Sequence, residues 1–445
     1  MKSKKAALLA LWFATLAGIV AVWARHALSH PMGSQFEAGT AERLILYGNL
    51  CALAAVHAIC VQLLLMTRAG WIERVFGLDR LTRFHAVNGV WLFCLAVAHP
   101  VCVTLGNAQK GYRPFGEQLL KLIRTWPDIP QAAAGLLLLV LIVLLTWLRL
   151  RRRLRYDLWY GTHLAAYAAV LLAIGHQFEN GMDLVTDRLF AAAWWGLYGC
   201  VAVHLIFYRW LAPFYLFFRH RFRVSRVVRE TGDVVSIEIT GRELERFPVR
   251  AGQFMFFRFL ARRFWGEAHP FSLSCAPGRG LLRISCKNLG DYTARLPELK
   301  PGTPVVIDGP FGVFTAARAA RPKILLAAGG IGITPLRSLA EEFAKAGKDV
   351  VLLYGNRSSK EIVFRSELEA LAQSGRLKVV HVLSAEEEAV EKGYVDQGRI
   401  ARLVPDCAQR DVYVCGPPPM MRGVLRALRR LGVPRPQIHH EVFSL

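Results

Sequence analysis

Six apolar stretches in the first 215 residues restrict the fold more than any other feature of this sequence. Each is long enough to cross a bilayer as a helix, which takes roughly 20 residues. From about residue 220 the sequence changes to strand-like alternation and glycine-rich turns. A six-helix transmembrane bundle followed by a soluble part is therefore predicted. The predicted spans cover residues 6–24, 44–66, 84–104, 132–149, 158–178 and 189–212.

The formal net charge of +23 is concentrated in the loops between these spans. Basic clusters precede the first span, separate the second from the third and the fourth from the fifth, and follow the sixth. Because Lys and Arg favour cytoplasmic loops, both termini and the soluble half are predicted to be cytoplasmic, at a bacterial-type inner membrane. This placement of the arginines argues against nucleic-acid binding. The first span is interpreted as a signal anchor rather than a cleaved signal peptide.

Two predicted spans each carry a pair of histidines, His85 and His99 in the third and His163 and His176 in the fifth. The members of each pair lie roughly 20 Å apart along a helix. Imidazole is a good ligand for haem iron, and ligation removes the cost of an unsatisfied imidazole in hydrocarbon. The pattern predicts two haems between these spans, in preference to four histidines hydrogen-bonded between helices or a proton path. The 13-residue spacing in the fifth span is not a whole number of turns, so this helix is expected to tilt or bend, or its haems to differ in azimuth.

The remaining metal-ligand candidates have no matching pattern. His57 in the second span and His204 in the sixth have no equivalent partner, and they are interpreted as residues hydrogen-bonded between helices. The nine cysteines are scattered, with no C-x-x-C pair and no iron–sulfur spacing. No H-E-x-x-H or cysteine set indicates zinc.

The soluble half, from about residue 220, is predicted to consist of two domains. Residues 220–318 are mainly strand-like and are predicted to form a small β-barrel. The segment "KILLAAGGIGITPLRSLAEEF" is then a strand, a glycine turn and a helix whose N-terminus favours an anion. Strands and helices alternate after it, which predicts a parallel sheet covered on both faces in an α/β Rossmann-like domain. The predicted domains are 1–215, 220–318 and 321–445.

The order of these parts is more specific than any single motif. The stretches "HPFSLS", "KNLGDYT", "DGPFG", "GGIGITP", "YGNRS", "CGPPPM" and "HEVF" resemble the ferredoxin–NADP reductase module, a flavin barrel followed by a nicotinamide domain. With the six spans and the paired histidines, residues 44–445 resemble the NADPH oxidase/ferric reductase superfamily. The resemblance implies FAD, two b-type haems and NADPH as cofactors, with NADH as the alternative donor.

The resemblance also implies roles for individual residues. His85 and His163 would hold an inner haem, and His99 and His176 an outer one. Ser272 would lie near flavin N5, Cys415 would line the nicotinamide face, and Glu441 would lie nearby. The other matching residues are His269, Pro270, Phe271 and Ser274 in the flavin motif, Gly290 and Thr293 in the pyrophosphate turn, Gly330, Gly332, Thr334 and Pro335 in the nucleotide turn, and Gly416 and Pro417 beside Cys415.

Two positions depart from a simple match. Phe443 matches the terminal aromatic that shields the flavin, but the chain continues by Ser444 and Leu445. Arg357 could pair with a 2′-phosphate and so favours NADPH. The alternatives are that Arg357 is an ordinary surface arginine, or that relatives which use NADH also have an arginine here.

The resemblance implies that electrons pass from NADPH through FAD and both haems to an acceptor across the membrane. Dioxygen, reduced to superoxide, is the first choice of acceptor. A ferric or cupric chelate is the second, and a periplasmic protein or a quinone is the third. No separate partner protein is required, because the reductase motifs are in the same chain.

Overall fold

The structure is a computed structural model that describes residues 2–29, 39–150, 153–154, 156–278, 280–373 and 375–441. The chain divides into two compact units. The first comprises Met1–Ala69 and Arg80–Phe207, and the second comprises Gly70–Asp79 and Tyr208–Leu445. A short segment between the second and third predicted spans thus belongs with the C-terminal half.

Six helices in the described part of the chain are long and apolar enough to cross a membrane, by length and composition. They confirm the six predicted apolar helices. The helices of this half are α1 (Lys2–Ser29), α2 (Thr40–Met66), α3 (Gly70–Phe76), α4 (Leu78–Lys110), α5 (Phe115–Thr125), α6 (Ile129–Leu150), α7 (Tyr156–His163), α8 (Ala166–Leu172), α9 (Gly175–Asn180), α10 (Met182–Thr186), α11 (Arg188–Ile206) and α12 (Ala212–His220).

The fifth span is interrupted twice. Turns at 164–165 and 173–174 separate α7, α8 and α9. The first turn follows His163 directly, and the second lies just before His176. A continuous helix would point these two histidines in different directions, and the interruptions change their relative direction. The predicted irregularity of this helix is therefore present, as breaks rather than as a smooth tilt. The sixth span has a π-helical turn at Phe207–Leu211 between α11 and α12.

The flavin-motif region contains two three-stranded antiparallel sheets. The predicted closed barrel is wrong for the described residues, because only the isolated bridges Arg223↔Pro304 and Leu273↔Ile284 join strands of different sheets. The contact of Arg223 with Pro304 remains a single bridge because the backbone turns on both sides of it, at Arg221 (φ 48°) and Gly302 (φ 87°). The sheets are β1 (Arg223–Arg229), β2 (Val234–Thr240) and β5 (Leu282–Lys287), and β4 (His269–Ser272), β3 (Phe254–Phe259) and β6 (Val305–Phe311), with the helix α13 (Asp291–Arg295) after β5.

The nucleotide region is a five-stranded parallel sheet in the order β11-β10-β7-β8-β9. Leu339 of α14 packs on one face of this sheet and Val424 of α17 on the other. This confirms the parallel sheet predicted from the alternation. Its elements are β7 (Lys323–Gly329), α14 (Ile333–Lys345), β8 (Asp349–Asn356), α15 (Arg365–Ala372), β9 (Leu377–Leu383), α16 (Gln397–Leu403), β10 (Asp411–Cys415), α17 (Pro418–Arg430) and β11 (Ile438–Glu441).

A buried ion-pair network joins the two parts of the second unit. Arg283 of β5 contacts both carboxylate oxygens of Glu367 at 2.6 and 2.8 Å. Arg337 of α14 contacts the same carboxylate at 2.7 Å and also pairs with Glu341. Because each buried charge has an opposite partner, the network fixes the flavin-motif sheet against the nucleotide sheet without leaving an isolated charge.

Candidate redox site

The four histidines of the membrane spans lie in the two pairs that the sequence predicts. The ring centres of His85 and His163 are 6.2 Å apart, and those of His99 and His176 are 6.3 Å apart. All four belong to the first unit. The two pairs differ in ring orientation, since the interplanar angle is 63° in the first and 29° in the second.

These separations fit a metal ion held between two imidazoles. Two metal–nitrogen bonds of about 2 Å, plus the distance from each nitrogen to its ring centre, add up to about 6 Å. No group of three or more His, Cys, Asp or Glu side chains that could hold a metal occurs among the described residues. A two-imidazole site requires a metal whose other ligands come from elsewhere, and a haem supplies them from its ring.

One member of each pair is oriented by a backbone carbonyl. His85 Nδ1 lies 3.3 Å from the carbonyl oxygen of Gln62, and His99 Nδ1 lies 2.9 Å from that of Gly48. When Nδ1 donates its hydrogen to the carbonyl, Nε2 is left free to bind a metal. Histidine ligands usually have such a hydrogen bond on the nitrogen that does not bind the metal. His163 and His176 have no comparable Nδ1 hydrogen bond within the described residues.

Gly48 allows this contact because α2 and α4 approach closely there. A Cβ atom on Gly48 would lie 2.8 Å from a methyl carbon of Val103 and 3.2 Å from Cβ of Cys102. Small residues permit such backbone approach between membrane helices. The glycine thus lets the Gly48 carbonyl reach the ring of His99.

An open pocket lies against His99 and His176. Its lining is mainly apolar, with Leu53, Val56 and Trp194 among the walls. Cofactor sites are commonly lined in this way. The second histidine pair therefore borders an apolar pocket, and the character of its lining fits a haem.

The two remaining span histidines make ordinary hydrogen bonds. His57 Nε2 lies 3.0 Å from Thr15 Oγ1, and His204 Nδ1 lies 2.8 Å from the carbonyl oxygen of Cys200. The bond of His57 joins α2 to α1, as the sequence interpretation expects. The bond of His204 is to the residue one turn earlier in its own helix α11, so the predicted hydrogen bond between helices is not the one observed there.

The flavin motif forms strand β4 and contains an unsatisfied hydroxyl. Ser272 is buried, and its Oγ has no hydrogen-bond partner in the described structure. It pairs in register with Phe254 of β3, which in turn pairs with Phe311 of β6. Leaving a buried hydroxyl without a hydrogen bond costs free energy, so the Ser272 hydroxyl favours a bound group that hydrogen-bonds to it. The surroundings of Ser272 therefore fit the flavin that the motif implies.

The rest of the flavin motif is held from both sides. The ring of His269 packs against that of Tyr292 at an angle of 31°, with 3.8 Å between ring centres, and His269 Nε2 lies 3.1 Å from Glu267 Oε2. Ser274 Oγ lies 2.8 Å from Ser285 Oγ, which makes this serine a structural neighbour of β5. Pro270 and Phe271 lie between His269 and Ser272 on the same strand.

The predicted pyrophosphate turn is ordered by Thr293. Its hydroxyl oxygen accepts the amide hydrogens of Leu289 at 2.9 Å and Gly290 at 3.1 Å. Thr293 therefore fixes the shape of the turn. The space beside Gly290 is open, since a Cβ atom built there would meet nothing within 4 Å.

The predicted nucleotide residues gather at the carboxyl ends of the parallel strands. Gly330 follows β7, and Gly416 follows β10. A Cβ on Gly332 would lie 2.5–2.7 Å from the Cys415 carbonyl group and the Cα of Gly416, so the glycine turn packs directly on the second loop. In open parallel sheets this edge, next to the point where strand order reverses, is where ligands bind. Thr334 and Pro335 begin α14 just behind the turn, and Pro417 precedes α17.

Cys415 and Glu441 lie side by side, since β10 and β11 are parallel and these two residues pair in register. Burial raises the pKa of the Cys415 thiol well above its usual range, and the nearby carboxylates of Glu441 and Asp79 add to this. The thiol is therefore protonated at neutral pH, and its contribution is to shape the surface rather than to act as a nucleophile.

Two predicted residues stand apart from this group. Arg357 is exposed at the end of β8, and no ion pair with it is present among the described residues, which leaves it available to an anion. Phe443 lies outside the described residues.

Sequence reasoning missed Glu73, a fully buried glutamate of α3. It accepts a hydrogen bond from the backbone amide of Gly312, which follows β6. The sequence signal is weak, since Glu73 is one of two acidic residues, with Asp79, in a loop that also contains Arg68, Arg74 and Arg80.

Comparison with known protein families agrees with this architecture. Residues 51–174 match the ferric reductase like transmembrane component family, residues 219–315 an FAD-binding domain family, and residues 326–426 the oxidoreductase NAD-binding domain family. The chain thus combines a ferric reductase-like membrane component with an FAD-binding domain and an oxidoreductase NAD-binding domain. This combination of matches is consistent with the NADPH oxidase/ferric reductase superfamily.

Individual relatives match about half of the chain. The ferredoxin reductase component of 3-ketosteroid-9-alpha-monooxygenase from Rhodococcus rhodochrous is 33% identical over 50% of this chain and 64% of its own length. The glycine betaine monooxygenase reductase subunit from Chromohalobacter salexigens is 30% identical over 51% of this chain and 64% of its own. The chain therefore spans less than two thirds of these relatives. The FAD/NAD-binding domain of a nitric oxide dioxygenase from Vibrio cholerae is 28% identical, covers 51% of this chain and 99% of its own, and gives a TM-score of 0.45.

Proposed function

We propose that this protein carries electrons from NADPH through FAD and two b-type haems across a membrane to dioxygen, with superoxide as the product. The observation that carries the proposal is the two facing imidazole pairs, at 6.2 and 6.3 Å, in a chain that also has FAD- and NAD-binding domains. When bound, the flavin supplies a hydride acceptor and the haems supply one-electron carriers.

The chain's own residues would hold and orient these groups. His85 and His163 would ligate one haem, and His99 and His176 the other. The carbonyl of Gly48 would keep the His99 ring in the tautomer that leaves Nε2 for iron. In the second unit, the unpaired Ser272 hydroxyl would face the flavin ring, and the glycine turn at Gly332 would hold the nucleotide against Cys415.

The acceptor distinguishes two functions. Dioxygen needs no binding surface of its own, whereas a ferric or cupric chelate does. The α5 segment at Phe115–Thr125, with Lys121 and Arg124, favours an anionic chelate as the second candidate. A periplasmic protein or quinone acceptor is the third. The membrane is proposed to be the bacterial inner membrane, with both termini on its cytoplasmic face.

Replacing Arg357 with alanine is expected to raise the Michaelis constant for NADPH about tenfold and to leave that for NADH unchanged. The guanidinium is exposed and has no ion pair in the described part of the chain, so an added 2′-phosphate would be its partner. Steady-state reduction of FAD with each nucleotide measures both constants. Equal effects on the two Michaelis constants would show that Arg357 does not bind the 2′-phosphate.

The proposed function is tested on full-length protein in lipid vesicles, loaded with haem and FAD. NADPH supplied to the reductase side should reduce haem and generate superoxide on the opposite side. Superoxide on the side of NADPH addition, or haem that NADPH does not reduce, would contradict the proposed path.

A further inference from the structure

We propose that Glu73, although it belongs to the segment between two membrane spans, holds the proton that each hydride leaves behind at the flavin site. The inference rests on the proposed function. A hydride from NAD(P)H consists of two electrons and one proton, and NAD(P)⁺ is the oxidised product. If both electrons leave through the haems, one proton per NAD(P)H remains and needs an acceptor before it reaches solvent.

The position of Glu73 comes from a close contact with β6. Its Oε1 accepts the amide hydrogen of Gly312 at 2.8 Å, and the side chain is fully buried. Its other oxygen, Oε2, has no partner in the described structure. The backbone of Gly312 has a φ of +99°, and a Cβ there would lie 3.2 Å from Phe254 and 3.4 Å from Glu441 Oε1. Glycine therefore permits two carboxyl groups to approach the same residue.

The same place holds the other unpaired polar atoms of the flavin site. Phe254, which borders Gly312, pairs in register with Ser272, whose hydroxyl is buried and unpaired. Glu441 is nine-tenths buried, and its Oε2 is also without a partner among the described residues. Three buried, incompletely bonded oxygens thus belong to residues that surround Gly312 and Phe254.

Burial and the surrounding charges raise the pKa values of both Glu73 and Glu441. Burial raises the pKa of Glu73, the Asp79 carboxylate raises it further, and the amides of Gly312 and Leu78 and the charge of Arg74 oppose the rise. Burial raises the pKa of Glu441 well above its usual range, and Asp79 and Glu73 add to this, while the adjacent Cys415 is a neutral thiol. Two neighbouring buried carboxyls cannot both ionise easily, so they share protons.

Amide hydrogen bonds decide which group ionises first. Glu73 has such a donor in Gly312, and a bonded carboxylate is stabilised relative to an unbonded one. Glu441 keeps its proton, and Glu73 alternates between carboxylate and acid. Glu73 is thus the acceptor of the proton, and Glu441 keeps the pair from carrying two negative charges.

The test uses the full-length protein with Glu73→Gln, and Glu298→Gln as a matched control at an exposed position whose carboxylate pairs with Arg263. Glutamine keeps an oxygen for the Gly312 amide but cannot take a proton. FAD is first reduced with NAD(P)H under nitrogen and then oxidised with ferricyanide in weakly buffered solution containing a pH indicator. Proton release should be about tenfold slower in Glu73→Gln and unchanged in Glu298→Gln.

A second readout does not involve a cofactor. A carboxyl group with a raised pKa stabilises the fold fully below its unfolded pKa of 4.5, and this contribution is lost as pH rises through the folded value. As pH rises above about 5, the melting temperature of the FAD-free protein should therefore fall more steeply in the wild type than in Glu73→Gln. Glu73→Asp, which keeps a proton-binding group but withdraws it from Gly312, should release protons at an intermediate rate.

Wild-type proton release and wild-type pH dependence in Glu73→Gln would overturn the inference. So would loss of FAD binding in Glu73→Gln, because that would make the residue a structural anchor. If wild-type protein does not pass electrons from NAD(P)H at all, the proposed function fails instead, and the melting curves of the FAD-free protein still test whether Glu73 titrates.

Discussion

Replacing His99 with leucine is expected to lower the haem content from two per chain to one. Leucine fills part of the same space but has no metal-binding nitrogen, so His176, at 6.3 Å, would face no second ligand. Electron transfer to the outer acceptor should fall by more than about 100-fold, since even loss of groups that only support a ligand costs 10–100-fold in metal affinity. Reduction of FAD by NADPH should persist, because the flavin motif lies in the other unit.

The haem content is measured from the pyridine haemochrome spectrum per mole of protein. His176→Leu should give the same result as His99→Leu, because each removes one side of the same pair. His204→Leu is the matched control, since His204 also lies in a membrane span and its ring bonds the carbonyl of Cys200 in its own helix. Two haems in His99→Leu, or fewer than two in His204→Leu, would contradict the ligand assignment.

Replacing Gly332 with alanine is expected to impair nucleotide-dependent reduction strongly. The added Cβ would lie 2.5 Å from the carbonyl oxygen of Cys415 and 2.7 Å from Cα of Gly416, and neither backbone atom can move without displacing its loop. Overpacking of this kind costs about 1–3 kcal/mol. If that cost falls on the nucleotide-binding conformation, kcat/KM for NAD(P)H drops by about 5- to 150-fold.

The control for this variant is Gly423→Ala, where an added Cβ in α17 would meet nothing within 4 Å. Dithionite reduction of the haems should be normal in both variants, because it bypasses the nucleotide site. Wild-type kcat/KM for NAD(P)H in Gly332→Ala would show that the two loops can separate without consequence.

The paired histidines were predictable because helical periodicity and burial cost act locally along each span. The spacing also indicated that the fifth span could not be one regular helix, and the structure breaks it beside His163 and His176. Where it breaks was not predictable, since the turns at 164–165 and 173–174 lack proline and have no strong helix-breaking signal.

Long-range features were harder to predict. Whether two sheets close into a barrel depends on ladder hydrogen bonds between distant strands, and here the contact of Arg223 with Pro304 is a single bridge. The bond from Gly312 to Glu73 joins residues 239 positions apart, which no local pattern specifies. From the sequence, Glu73 is therefore interpreted as a loop residue. Only the three-dimensional structure, which places it against Gly312, identifies it as a candidate site residue.

The proposed electron path is best tested by the haem spectrum of purified protein loaded with haem and FAD. NADPH is added under nitrogen, and air-saturated buffer is then admitted. We expect NADPH to reduce both haems and air to reoxidise them fast, with one superoxide per electron. Haems that NADPH leaves oxidised would contradict the electron path, and slow reoxidation that only a ferric chelate or a quinone accelerates would contradict dioxygen as the acceptor.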